Sequence, residues 1–521
     1  MGSGTDLIVQ RVEYVQESDK TSHLMDLLHA QKANGVQGKR LPPSPPAIPI
    51  LGNIFWLLKS SKNFADLEPV LRSLRSKYGN IVSIHIGSTP SIFITCHEAA
   101  HRALVKNGTI FADRPLALQT TQVFFPNQYT VTTSPYGHNW RFMRQNLMQV
   151  IQPSRLSLYS HCRKWALSIL KKHILDEIEL GNKAIAIDSY FNSTLYALFS
   201  YICFGDKFDE ETVRNIQRVQ HCFLHNFIKF NVLNFVPVLS KIVFRRLWRE
   251  ILGIRQSQVN VFLPIIKARH EKIKGKVGVK DENEEEFKPY VDTLFDMKLP
   301  SNGCKLKDEE LVSMCAEFMI GGTDTTVTTW IWTMANLVKY QHIQEKLFDE
   351  IKEVVEPDED IEVEHLKRMP YLKAVVLETL RRHPPGHFIL PRAVTQDTVM
   401  DGHDIPKNAI VNFLVAEFGW DPNVWEDPME FKPERFLRHG GDSKFDLKGT
   451  IEIKMMPFGA GRRVCPAISM ATLHLEYFVA NLVRDFKWAL EDGCEVDMSE
   501  KQAFTIVMKN PLRPCVSLRS T

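Results

Sequence analysis

The sequence predicts a mainly α-helical protein with a small β part. Long stretches with apolar residues at helical spacing fill most of the chain after residue 138, while strand-like stretches are few and short. No internal repeat of 20–50 residues is visible, so the 521 residues read as one large domain, although about 150 residues per domain would suggest three or four. Composition agrees: 44% hydrophobic and 24% charged residues are ordinary for a globular chain. Disorder, collagen-like repeats and a small disulfide scaffold are thereby excluded. Sixty-four Lys and Arg against 61 Asp and Glu leave +3, which gives no reason to expect a nucleic-acid partner.

Taken in order, residues 1–40 lack any run of 18 apolar residues and any signal-peptide pattern, and read as a polar leader. Leu41–Asn53 follows as a proline-rich hinge, with five prolines in residues 41–49 favouring a stiff extended chain. The remainder, 54–521, is the expected main domain. Residues 81–95 alternate and are β-branched, predicting a hairpin. Helices are expected near 138–152, 155–180, 208–226, 242–273, 307–340, 342–355, 370–383 and 466–485, and short strands at 387–394, 409–413 and 503–508. The charge run 280–286 reads as a solvated loop.

Nine cysteines without C-x-x-C spacing argue against a disulfide framework or a cysteine-rich zinc site, and for a reducing compartment. His97-Glu98-Ala99-Ala100-His101 matches H-E-x-x-H, which on a helix would aim two histidines at zinc. A third ligand is wanting, since no Glu lies between Ala99 and Asp176. A surface helix with polar residues at its start is the expectation.

The chemistry concentrates at Pro457-Phe458-Gly459-Ala460-Gly461-Arg462-Arg463-Val464-Cys465-Pro466. The glycines permit a tight turn close to a ligand. Arg463 offers a fork of donors, and Pro466 suits the first turn of a helix. A thiol at a helix start beside arginines would favour its thiolate, as a soft metal ligand requires. From the residues alone, Cys465 is a ligand, a nucleophile or a packed thiol. Phe458, Gly461, Arg463 and Cys465 match F-x-x-G-x-R-x-C-x-G, and the segment resembles the haem-binding loop of the cytochromes P-450, with Ala467 where that family usually has Gly.

Other motifs fit the same resemblance in the same order. Glu378-Thr-Leu-Arg381 places a carboxylate and a guanidinium on one helix face, and Phe431–Phe436 resembles the segment that supplies Arg435 to complete a network. Gly321-Gly322-Thr323-Asp324-Thr325-Thr326 resembles the oxygen-activation motif, with Gly321 where Ala is usual. Two glycines inside a helix cost roughly 1 kcal/mol each relative to Ala. They suggest close approach to the helix backbone. Trp140 and Arg144 match W-x-x-x-R, with Arg141 facing outward. The resemblance spans about residues 41–521, and in 383–436 it is similar to the plant microsomal type and to the plant family numbered eighty-nine.

The resemblance implies a cytochrome P-450 fold enclosing haem b and a monooxygenase placing one oxygen atom of O2 into a hydrophobic small molecule. Electrons would come from NADPH through a partner cytochrome reductase. Cys465 would ligate the iron. Trp140, Arg144, Arg392 and Arg463 would hold the propionates, with Trp140 giving its indole N–H. Phe458 and Gly461 would complete the loop. Asp324 and Thr325 would relay protons. Phe124, Met319, Gly321, Phe388 and Phe504 would line the pocket. It also implies the cytosolic face of the endoplasmic reticulum membrane. The apolar stretch Phe223–Leu239, then Ile242–Phe244 with Arg245, Arg246 and Trp248, fits either a membrane surface or core helices roofing a cavity. An oxygen-independent isomerase or dehydratase, or a haem protein without turnover, are the alternatives. The acid–alcohol pair, which such isomerases tend to lose, speaks against the first.

Overall fold

The computed structural model describes residues 40–46, 52–53, 67–86, 89–182, 184–226, 229–234, 237–275, 287–437, 445–491 and 493–519. The leader 1–39, the charge run 280–286 and part of the proline segment lie outside these residues. The helices are α1 Leu67–Tyr78, α2 His97–His101, α3 Gln119–Phe124, α4 His138–Ile151, α5 Ser160–Glu179, α6 Ile187–Phe204 and α7 Glu210–Asn226. There follow α8 Pro237–Val243, α9 Arg245–Gly275, α10 Asp308–Lys339, α11 Gln341–Val354, α12 Val363–Lys367, α13 Pro370–Arg382, α14 Val415–Gly419 and α15 Ile468–Asp485. The strands are β1 Ile81–Ile86, β2 Thr89–Ile94, β3 Arg392–Ala393, β4 Thr398–Met400, β5 His403–Ile405, β6 Ile410–Phe413, β7 Phe486–Ala489, β8 Glu500–Gln502, β9 Ile506–Met508 and β10 Cys515–Leu518.

The expected hairpin is β1–β2, with Ile81 opposite Ile94. It extends to the sheet β1-β2-β6-β3, in which β2 and β6 run parallel. The described prolines lie against β1: Ser83 donates to the carbonyls of Pro42 and Pro43, which a proline can accept although it has no N–H to give. Three expectations need correction. The strand at 503–508 is a turn followed by the shorter β9 Ile506–Met508. The strand at 387–394 shortens to Arg392–Ala393 plus a bridge from Phe388 to Leu414. The helix at 155–180 begins as a 3-10 turn, Pro153–Tyr159. Helix α6 was not expected; twelve of its eighteen residues are buried and apolar side chains run round much of it. The wider the apolar face, the weaker the 3.6-residue stripe.

The core is organised by α10. Trp330 is stacked between Phe191 of α6, at 3.8 Å, and Phe478 of α15, at 4.7 Å. Trp332 stacks on His383 at 4.1 Å, and its indole N–H donates to the Ile506 carbonyl at 2.8 Å. A methyl group on Gly322 would meet the Phe199 ring at 2.1 Å. That glycine therefore admits a neighbouring helix, not a ligand; only Gly321 has open space beside it.

Two polar clusters pin the elements around this core. Glu378 and Arg381, both fully buried, form a two-pronged pair at 2.7 and 2.8 Å, and Arg435 reaches the same carboxylate at 3.0 Å. The remaining Arg381 donors go to the carbonyls of Gly419, Pro428 and Glu430, and the Lys432 N–H donates to Glu378. No charge here is left without a partner, which is the condition under which such a pair survives burial. In the second cluster His387 contacts Glu68 of α1 through Nδ1 and Glu500 of β8 through Nε2, the latter at 3.3 Å. His383 reaches Glu500 at 3.1 Å. Burial disfavours the His387 cation, but its bonds to Glu500 and Glu68 outweigh this and lift it to about 9.

Arg381→Ala removes the two-pronged partner of a buried carboxylate, leaving it Arg435 and one N–H on a single oxygen, and should cost roughly 3 kcal/mol, measured by denaturant unfolding. Arg381→Lys should not rescue it, because a single ammonium cannot fill the fork. A variant as stable as the parent would show that the pair carries no load. For His387 the folded value lies above the ordinary 6.5, so its contribution is whole below pH 6.5 and fades as pH rises through about 9. The difference in Tm between parent and His387→Gln should therefore be largest at pH 6.5 and shrink by pH 9.5. A difference that grows with pH would reverse the assignment.

Candidate functional site

The cysteine loop is shaped by what it must pass. Gly461 has φ +71°, and a methyl group there would lie 1.8 Å from the Leu104 carbonyl oxygen, so only glycine fits. The Cys465 N–H donates to the Phe458 carbonyl at 2.9 Å, closing the loop on itself. Helix α15 starts at Ile468, not at Pro466, with Ala467 as its cap at φ −98°, a conformation that alanine adopts without strain. The thiolate expectation needs correction accordingly. Burial pushes the Cys465 thiol up, and the Ala467 N–H and Arg144 only partly oppose this. A metal cation on the sulfur is what would remove the proton.

Above the loop lies a cluster of arginines. Arg463 is bonded to the carbonyls of Ala112, Val131 and Ser134, the last at 2.6 Å. Arg144 donates to Val464 at 2.7 Å. Trp140 sits between them, 4.8 Å from the Arg463 guanidinium and 5.5 Å from that of Arg144. Its indole N–H is taken by the Val131 carbonyl at 3.1 Å, so here it orients the arginines through its ring and is not free to donate elsewhere. Arg392 is 3% exposed, and its Nε and Nη1 have no hydrogen-bond partner among the described residues. Burial, then Arg463 and Arg144, draw it down to about 9. Arg141 is exposed.

Sequence reasoning missed two members of this site. Arg114 donates to the carbonyls of Thr132, Leu390 and Pro391, and burial followed by Arg392 and Arg463 holds it well below its usual range. Glu317 is half-buried and accepts the N–H groups of Val131 and Thr132 at 3.0 and 2.6 Å. Burial nevertheless pushes its carboxyl up. The signal for Glu317 was its spacing: Glu317, Gly321 and Thr325 follow at i, i+4 and i+8 on one face of α10. Arg114 carried no such signal. Four guanidiniums thus meet two carboxylates, Asp113 and Glu317. The excess of two positive charges, with unpaired donors on Arg392, suits a ligand bearing two carboxylates. Haem has that chemistry, and the residues present fit it.

On α10, Thr325 Oγ1 donates to the Gly321 carbonyl at 2.9 Å, on the open face. Asp324 accepts from Thr505 at 3.0 Å, and burial pushes its carboxyl up against that bond. Of the expected pocket walls, Gly321 is open, Phe504 is 40% exposed and Phe388 is half-buried beside Phe93. Two others need correction. Met319 is fully buried in the main core, because two residues at about 100° each turn it to the side of α10 away from Gly321. Phe124 is also buried, packed on Phe223 at 4.2 Å. The zinc motif does form a helix, but His97 bonds the Ile453 carbonyl and His101 the Thr450 carbonyl. Among the described residues no cluster of His, Cys, Asp or Glu could hold a metal.

Comparison with known proteins agrees with this geometry. The family model described as Cytochrome P450 matches residues 42–515. Cytochrome P450 89A9 of Arabidopsis thaliana is 46% identical over 91% of this chain and 93% of its own length. The (+)-menthofuran synthase of Mentha piperita is 30% identical over 93% of this chain and 95% of its own. A zebra fish cytochrome P450 structure with progesterone superposes with a TM-score of 0.72 at 19% identity, over 87% of this chain and 99% of that one, and shares the fold. The chain therefore belongs to the cytochrome P450 family of monooxygenases.

Proposed function

We propose that this monooxygenase inserts one oxygen atom of O2 into a hydrophobic small molecule, with electrons from NADPH passed on by a partner reductase. The observation that carries the assignment is the arginine cluster with two unanswered charges, set above the Cys465 loop. Cys465 Sγ would hold the iron. Arg392, Arg144, Arg463 and Arg114 would pair with the propionates, while Trp140 keeps two of them in place. Bound haem supplies the iron at which dioxygen is activated, with the thiolate favouring O–O cleavage.

The chain's own residues do the rest. Gly321 leaves room beside the helix. Asp324 holds a proton-exchanging carboxyl next to Thr325, whose Oγ1 faces the open side and supplies the last donor. Phe388 and Phe504 exclude water and orient an apolar substrate. Arg462, exposed on the cysteine loop, supports docking of an acidic reductase surface. Among the described residues no helix is long and apolar enough to cross a membrane. The apolar stretch divides in two. Phe223, Leu224, Phe230 and Leu233 are buried, whereas Ile242, Val243 and Phe244 are exposed beside the exposed Arg245 and Arg246. Phe227, Ile228, Phe235 and Val236 lie outside the described residues. The exposed part supports a position on the cytosolic face of the endoplasmic reticulum membrane.

Cys465→Ser should abolish the red-shifted Soret band that marks a thiolate ligand in the reduced carbonyl spectrum. A band that survives would mean another residue holds the iron. Thr325→Ala should raise peroxide released per NADPH consumed severalfold in a reconstituted system, without loss of haem. Equal peroxide release would remove Thr325 from proton delivery.

A further inference from the structure

We propose that Thr505 is a positioning residue: it fixes the Asp324 carboxylate and joins it, through Thr328, in a hydroxyl chain tied to the turn that carries Phe504. The idea rests on reading Asp324 as the proton-handling acid. Thr505 lies in the turn between β8 and β9, is 4% exposed, and donates to Asp324 Oδ2 at 3.0 Å. The Thr328 hydroxyl lies 2.7 Å from that of Thr505. Most threonines of α10 bond elsewhere: Thr323, Thr325, Thr329 and Thr333 each donate to the carbonyl four residues back. Thr328 instead turns outward to the hairpin.

The turn is held firmly enough to aim a hydroxyl. Asp324, Thr328 and Trp332 follow at i, i+4 and i+8, and all three grip residues 505 and 506. The Ile506 N–H also donates to Pro385, and β8 is anchored through Glu500 to His383 and His387. The next residue toward β8, Phe504, is 40% exposed and is an expected wall of the substrate pocket.

The chain can run in either direction. With Asp324 ionised, Thr328 donates to Thr505 and Thr505 donates to Oδ2. With the proton on Oδ2, that O–H donates to Thr505 and Thr505 donates to Thr328. The two hydroxyls reverse without any heavy atom moving far.

The test is an infrared titration of the Asp324 carboxyl in the haem-loaded full chain, identified by difference from Asp324→Asn. Thr505→Val keeps the shape and deletes the donor; it should raise the midpoint by about one pH unit or more, the worth of a charge-assisted hydrogen bond. Thr505→Ser should restore the parent midpoint, which a purely structural role for the side chain would not require. Superimposable titrations of Thr505→Val and parent would overturn the proposal. The acid role is judged separately, by peroxide release from Asp324→Asn: an unchanged ratio removes that role even where Thr505 sets the titration.

Discussion

Buried positive charge without enough negative charge to answer it is the condition on which this site depends. Arg114, Arg144, Arg392 and Arg463 are drawn from four distant parts of the chain into one low-dielectric place. Each pays a desolvation cost that backbone carbonyls meet for Arg114 and Arg463 but not for Arg392. A folded protein keeps such a cluster when a ligand completes it. A ligand bearing two carboxylates would do so.

Helix α10 gives that cluster its frame. One face of it is clamped at both ends and left open between. Toward its N-terminus Glu317 holds the amides of Val131 and Thr132, whose carbonyls in turn receive Trp140, Arg463 and Arg114. Toward its C-terminus Thr328 and Trp332 hold the turn at 505–506. Gly321 and Thr325 occupy the unclamped turn, and Asp324 stands at its edge, where Thr505 donates to it. The other faces are packed against aromatic rings, with Phe199 in the notch of Gly322 and Trp330 between two rings. A helix held this tightly can place a carboxyl and a hydroxyl accurately, because its own backbone has little freedom to shift.

How much was legible depends on whether the signal was local. The amphipathic helices α4, α7 and α11 were read within a few residues of their ends, since each has one wet face. Helix α6, with twelve of its eighteen residues buried, was not read. Met319 was misplaced: an apolar residue next to a functional glycine fits either face of a helix until neighbours decide. The H-E-x-x-H segment shows the converse, a pattern whose histidines are spoken for by distant carbonyls.

By itself the sequence determined the short-range chemistry: a cysteine after a glycine turn, a glutamate one helical turn before an arginine, an acid beside an alcohol. These are fixed by spacing along one element, where covalent geometry leaves few choices. Only the tertiary structure decided which arginine lacks a partner, which glycine faces open space and which threonine reaches the acid. Those properties depend on groups hundreds of residues apart in the chain, and on burial, which no local pattern encodes.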